Sequence, residues 1–137
     1  MKARDIMQKR VTAATPRAIG RDVAQQLLSG MYSGLPVVST DGNILGVITE
    51  FDLLHAIREG RDLETIRAEE VMSRPAICVE EEDSVDTIIT TMTAHHIIRV
   101  PVTRRGKLVG IISRSDILSH MLEPEFVTYF GGDLRTE

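Results

Sequence analysis

The chain repeats itself. Ile6-Met7 returns as Val71-Met72, and Leu35-Pro36-Val37 returns as Val100-Pro101-Val102, both at an offset of 65 residues. Further on the offset falls to 64, so that Gly42, Gly46, Asp52 and Leu54 match Gly106, Gly110, Asp116 and Leu118. The lost residue lies where Thr40-Asp41-Gly42-Asn43 faces the shorter Arg105-Gly106-Lys107, a turn by composition, and turns are where a fold tolerates deletion. A repeat of this length restricts the topology severely, because each copy must be one supersecondary unit that buries its apolar face against the other.

Both copies carry the same elements in the same order. A short extended piece, Val11 to Ala13 or Ala76 to Val79, follows the methionine. An amphipathic helix comes next, marked by Val23, Leu27 and Met31 in one copy and by Val85, Ile88, Ile89 and Met92 in the other. Gly30 and Gly34 bracket the end of the first of these helices. Leu35 to Val38 and Ile44 to Ile48 then flank an Asp-Gly-Asn turn, and Val100 to Thr103 and Leu108 to Ile112 flank Arg-Gly-Lys, which predicts two hairpins. Pro36 and Pro101 lack a backbone donor and are expected at a sheet edge or at the start of a strand. A final helix starts at Thr49 or Ser113 and is expected to bury Leu53, Leu54 and Ile57, or Ile117, Leu118, Met121 and Leu122.

A β-α-β-β-α unit of half this length is too small to stand comfortably alone, so the two copies are expected to pack together about a pseudo-two-fold axis. The fold class is α/β (α+β), in one module of 137 residues. Residues 1–58 form the first repeat, 59–69 a polar linker, 70–122 the second repeat and 123–137 a tail. That tail holds Phe126, Tyr129 and Phe130, and is expected to pack on its own or a sister domain.

Composition excludes several function classes. Hydrophobic residues are 42% and charged residues 26% of the chain, a globular balance. A net charge of −4 argues against a nucleic-acid binder that relies on phosphate neutralisation. Met1-Lys2-Ala3-Arg4 leads into no long apolar core, and no stretch approaches the ~18 apolar residues of a membrane span, so a cytoplasmic protein without membrane attachment is expected. Cys78 is the single cysteine and sits in an apolar run, as a buried structural thiol does. There is no Gly-x-Ser-x-Gly elbow, no phosphate-binding loop and no His-Glu-x-x-His. His95 and His96 are helix neighbours that point apart and make a poor metal pair. No catalytic residue and no metal site are therefore expected.

The repeated Thr49-Glu50-Phe51-Asp52 and Ser113-Arg114-Ser115-Asp116 have two physical readings. One is a capping box, in which the hydroxyl accepts from the amide three residues on and the carboxylate accepts from the amide of the cap. The other is a ligand site, since a helix N-terminus offers free N–H groups to an anion and a carboxylate has acceptor sites enough to cap and to bind hydroxyls as well.

Two copies of Ile/Val-Met, a Pro-Val strand, a Gly and then Gly-Val-Ile-Thr-Glu-Phe-Asp or Gly-Ile-Ile-Ser-Arg-Ser-Asp closely resemble the CBS-domain family. The match runs from Asp5 to Met121. The resemblance implies a pair of repeats, often called a Bateman module, that binds adenosine-containing ligands in clefts between the repeats and commonly dimerises into a flat disc. It implies that the Asp takes ribose hydroxyls, that the Thr or Ser supports the sugar or phosphate, and that the base lies in an apolar slot. Carried onto this sequence, one cleft holds Asp116 and Ser113, walled by Ser33, Gly34, Leu35, Thr12 and Ala13. The other holds Asp52 and Thr49, walled by Ile98, Arg99, Val100 and Ile77.

Charge separates the two. From His95 to Arg114 there is no acidic residue, while Arg99, Arg104, Arg105, Lys107 and Arg114 are present. A solvated hairpin face accounts for Arg104, Arg105 and Lys107. Arg99 and Arg114 lie inside the motifs and are expected to meet phosphate, whereas Glu50, in Arg114's place, would repel it. The sequence therefore predicts one nucleotide-competent cleft, centred on Asp116. The expected ligand is an adenosine nucleotide of the AMP, ADP or ATP class, acting as a regulator and not as a catalytic cofactor; S-adenosylmethionine and NAD rank behind it. A homodimer and a separate, unidentified protein partner are expected to read the signal. The competing reading is a nucleotide-independent dimerisation or protein-docking module.

Overall fold

The computed structural model describes residues 1–122 throughout and, beyond them, the backbone of two short paired strands. The elements are α1 (Ala3–Ile6), α2 (Gly20–Gly30), β1 (Gly34–Val38), β2 (Ile44–Thr49), α3 (Glu50–Arg58), α4 (Ala68–Val71), β3 (Val79–Glu80), α5 (Val85–His95), β4 (Arg99–Arg104), β5 (Lys107–Ser113), α6 (Arg114–Met121), β6 (Val127–Phe130) and β7 (Asp133–Thr136). The expected packing of Phe126, Tyr129 and Phe130 lies outside the described residues.

Two copies of a helix, hairpin and helix unit account for most of this order. In the first, β1 and β2 pair antiparallel with Pro36 opposite Val47. In the second, β4 and β5 pair antiparallel with Pro101 opposite Ile111, and β3 adds to β4 in parallel. The leading extended piece is shorter than its sequence suggests. In the first copy it contracts to one parallel bridge between Ala14 and Val37, and in the second to the two residues of β3. Pro101 departs from its expected edge position, because β4 is the middle strand of its sheet. It is tolerated there because β3 pairs only with Val102 and Thr103, leaving Pro101 with no ladder bond to supply on that side.

The hairpin tips meet. Ile44 donates its N–H to the Gly106 carbonyl at 3.0 Å, and Leu108 donates to the Gly42 carbonyl at 2.9 Å. The Lys107 ammonium adds a bond to the Asp41 carbonyl at 2.8 Å. Arg105 (φ 53°) and Gly106 (φ 81°) both take positive φ, which gives the two-residue turn the twist that antiparallel strands favour.

Each half has its own core, but the chain segments are exchanged. Val23, Leu27, Leu35, Val37, Ile48, Leu53 and Ala56 pack with Ile66 and Ala68, which come from the stretch between the repeats. Val79, Ile88, Met92, Val100, Val102, Ile112 and Ile117 pack with Ala3 and Ile6 from the first residues of the chain. The linker, polar in overall composition, thus buries Ile66 and Ala68 almost completely. Gly46 and Gly110 make the exchange possible. A Cβ on Gly46 would lie 2.7 Å from the Ser73 carbonyl, and one on Gly110 would lie 2.5 Å from Met7 Sδ and 3.0 Å from the Gln8 carbonyl. With no side chain there, Gln8 forms a backbone pair with Ile111 and Ser73 forms one with Val47.

Not every apolar position predicted to be buried is so. Met31 is 87% exposed, because it lies one residue past α2 with left-handed backbone and turns away from the core. On α3 only Leu53 and Ala56 are buried, and on α6 only Ile117. Leu54, Ile57, Leu118, Met121 and Leu122 are exposed, since these short helices lay a single narrow face on the hairpins.

Candidate functional site

Both readings of the repeated Thr/Ser-x-x-Asp describe the same atoms. Thr49 Oγ1 accepts from the Asp52 N–H at 3.1 Å, and Asp52 Oδ2 accepts from the Thr49 N–H at 2.8 Å. The second copy repeats both distances between Ser113 and Asp116. One oxygen of each aspartate is therefore committed to its helix cap. The remaining oxygen also has a partner: Ser73 Oγ donates to Asp52 Oδ1 at 2.9 Å, and Gln8 Nε2 donates to Asp116 Oδ1 at 3.0 Å. Gln8 and Ser73 directly follow the repeated methionines, so the exchanged segments bring one polar side chain to each aspartate.

Burial raises the pKa of the Asp116 carboxyl. Hydrogen bonds from the Ser113 N–H, the Gln8 amide and the Ser113 hydroxyl, together with the charge of Arg99, outweigh it and hold the group below the ordinary carboxylate range.

Two cavities open between the halves of the chain. The first, about 100 Å³, is lined by Asp116, Ser113, Thr12, Gly34 and Leu35, with Gln8, Arg10, Tyr32 and Arg99 also at its walls. The second, about 440 Å³, is lined by Thr49, Ser33, Gly34, Ile77, Ile98 and Arg99. Much of its lining is apolar, with Ile97, Pro101 and Ile111, and Ser73, His96 and Phe51 are also at its walls. Ligand pockets generally occupy ~300–1,000 Å³, a range that the second cavity reaches and the first does not.

Arg99 lies between them. Its guanidinium carbon stands 4.8 Å from the centroid of the Tyr32 ring, a cation–π contact that joins the second half of the chain to the first. Its Nη1 is buried and finds no hydrogen-bond partner among the described residues.

Several expected residues fall elsewhere. Arg114 lines neither cavity: it is the first residue of α6, its side chain is exposed, and its N–H is bonded to the Ile98 carbonyl at 2.9 Å. Val100 points into the core and is fully buried, because alternate strand residues face opposite sides. Ala13 lines neither cavity, since the wall of the Asp116 side is formed by Arg10, Val11 and Thr12. Ser33 belongs to the Thr49 side, not the Asp116 side, because the Glu50 N–H holds its carbonyl at 3.1 Å. Asp52 stands behind Ser73 and does not itself line the larger cavity. Gln8, Ser73 and Tyr32 join the site without being singled out by the motifs. The repeat alignment already paired Gln8 with Ser73, and Tyr32 directly precedes the predicted wall residues Ser33 and Gly34.

A profile of the CBS domain matches residues 3–59 and again 68–123. The chain belongs to the CBS domain family. The two matched CBS domains cover most of its length and correspond to the two halves that enclose the cavities. Among similar CBS proteins, Hypoxic response protein 1 of Mycobacterium tuberculosis is 29% identical over 93% of this chain and 90% of its own. A crystal structure of Hypoxic Response Protein I with two coordinated zinc ions superposes with a TM-score of 0.80, at 29% identity over 88% of this chain and 98% of that one. The CBS domain pair of protein MJ0100, crystallised with 5′-methylthioadenosine and S-adenosyl-L-methionine, gives a TM-score of 0.75 at 27% identity, over 88% of this chain and 95% of that one. An uncharacterized protein of Methanopyrus kandleri, MK0525, is 28% identical over 96% of this chain and 67% of its own. Among the described residues of the CBS pair no group of three or more His, Cys, Asp or Glu side chains gathers as a metal site would need, and no helix is long and apolar enough to cross a membrane.

Proposed function

We propose that this CBS pair is a regulatory module, not an enzyme, which binds an adenosine-containing ligand between its repeats and signals by a change in their arrangement. The observation that carries the reading is the 440 Å³ cavity, which combines an apolar lining for a base with the hydroxyls of Thr49 and Ser73 and the Arg99 guanidinium. The first ligand enters there. A ribose hydroxyl can replace the Ser73 hydroxyl on Asp52, and Arg99 supplies the charge for a phosphate. The smaller Asp116 cavity, which the charge pattern favours, is a second site that opens when Gln8 and Tyr32 move aside. The two adenosine compounds with which the MJ0100 pair was crystallised support the ligand class. Binding shifts the arrangement of the halves only to the extent that one arrangement binds better.

Thermal unfolding with AMP, ADP, ATP, S-adenosylmethionine and 5′-methylthioadenosine, each tested singly, examines this. A ligand at 100 times its dissociation constant adds about 2.7 kcal/mol. No shift with any of the five favours the docking reading.

That alternative, and the homodimer, draw on a different observation. Phe51, Leu54 and Ile57 on α3 and Leu118, Met121 and Leu122 at α6 are all exposed. The two helices are related by the internal repeat, so a second copy of the chain presents the same pair of faces and can cover both at once. Sedimentation of wild type and Leu54→Glu tests this: a dimer that dissociates in the variant supports it, and a wild-type monomer at high concentration overturns it.

A further inference from the structure

We propose that Arg99 is a single cation shared by the two cavities, so that an oxyanion bound in the Thr49 cavity weakens the binding of a second oxyanion in the Asp116 cavity while admitting an uncharged ligand there. The proposal rests on the adenosine-ligand reading above and adds to it a rule about which pairs of ligands the chain can hold.

Arg99 lines both cavities. In the larger one it is the only Lys or Arg side chain at the wall among the described residues, so a phosphate there has one guanidinium to meet. The guanidinium is free to respond. It rests on the face of Tyr32 and is in no ion pair among the described residues, and its buried Nη1 lacks an acceptor. A buried donor without an acceptor is costly, and an arriving oxyanion relieves that cost.

What Arg99 leaves behind determines the second cavity. Its charge acts on Asp116 and helps to keep that carboxyl ionised. Drawn toward an anion on the Thr49 side, the guanidinium uncovers Tyr32, which loosens a wall of the 100 Å³ cavity. It also leaves the Asp116 carboxylate with less compensation, the exposed Arg10 alone remaining among the basic side chains described at that wall. The second cavity becomes larger and more negative together. Repulsion then falls on a second phosphate and not on a neutral nucleoside.

Calorimetry of the full chain with AMP and with adenosine tests this. In wild type AMP is expected to bind one equivalent tightly and a second at least about tenfold more weakly, whereas adenosine as the second ligand binds the chain carrying one AMP no more weakly than it binds the chain carrying one adenosine. In Arg99→Met, which keeps a long apolar stem, AMP is expected to lose about tenfold at the first site, so that the difference between its two sites narrows, while adenosine loses clearly less than AMP. Arg99→Lys, with the charge but without the planar fork, retains part of the preference. Tyr32→Leu, in which Arg99 has no ring to leave, binds the first AMP a few-fold more tightly. Far-UV dichroism and unfolding midpoints confirm that each variant is folded. Two equal AMP sites in wild type, or an AMP-to-adenosine ratio that Arg99→Met leaves unchanged, overturn the sharing of Arg99 while the adenosine reading stands. Absence of binding by both AMP and adenosine overturns the two together.

Discussion

Met31 and His96 occupy the same place in the two repeats and end α2 and α5 with the same left-handed backbone, φ 56° and 53°. Neither is glycine, the residue that such a helix end favours. In both cases the amide still caps the helix, Met31 donating to the Leu27 and Leu28 carbonyls and His96 to those of Met92 and Thr93. Since Met31 is largely exposed, its side chain contributes little packing to offset the strain. Met31→Gly is expected to raise stability by about 1 kcal/mol, measured by urea unfolding with an unchanged slope. A loss of stability would mean that the methionine makes contacts that its exposure does not suggest.

The exchanged segments predict unequal costs at two matched glycines. At Gly46 the added methyl meets the Ser73 backbone, which cannot step aside cheaply, whereas at Gly110 its nearest neighbour is the flexible end of Met7. Gly46→Ala is expected to cost roughly 1–3 kcal/mol and Gly110→Ala less, both read from chemical denaturation.

Ile66 lies between the repeats, yet its side chain is 1% exposed in the first core. Ile66→Ala is expected to cost about 2–5 kcal/mol, as a core truncation does, and to lower the unfolding midpoint accordingly. A cost below about 1 kcal/mol, the size of a typical surface effect, would show that the linker is only a tether.

The pH dependence follows from Asp116. Its folded pKa lies below the ordinary value, so the carboxylate stabilises the fold at pH above that ordinary value, and the contribution is lost as pH falls through the folded pKa. The stability gap between wild type and Asp116→Asn is therefore expected to be constant from about pH 6 to 7 and to close below about pH 4. Ser113→Ala, which removes the hydroxyl that accepts the Asp116 N–H, should cost about 1 kcal/mol even at neutral pH.

Cys78 is half-buried, and burial, assisted by the charge of Glu80, pushes its pKa up to about 11. The thiolate is the reactive form, so alkylation by iodoacetamide at pH 8 is expected to be at least tenfold slower in the folded protein than in urea, where the ordinary pKa of about 8.5 returns.

The repeat, the hairpins and the capped final helices were legible because each is written in local chemistry. Gly42 and Gly106 mark the turns, and Thr49 with Asp52 and Ser113 with Asp116 mark the caps. The exchange of segments was not legible. Met7 and Met72 read as openings of their own repeats, and only three-dimensional packing assigns each to the other half's hairpin. The same packing determines which side chains reach each cavity. Ser73 and Gln8 arrive at their aspartates on the exchanged segments, and Arg99, read as a wall of the Asp52 cleft, serves both sides because β4 begins at the boundary between them. Arg114 stands outside both cavities for a simpler reason: a position inside a motif does not aim a side chain, and the first residue of a helix can face solvent.

The exchange has a consequence for how the protein is made. During synthesis the first hairpin emerges well before residues 66–72 that complete its core, and Ala3 and Ile6 must wait longer still, until Ile112 and Ile117 leave the ribosome. The opening residues are thus the last to find their place, and neither half can finish folding as a nascent chain without a segment of the other. The two repeats close like clasped hands, each holding a finger of the other, and prising one loose would uncover apolar surface in both.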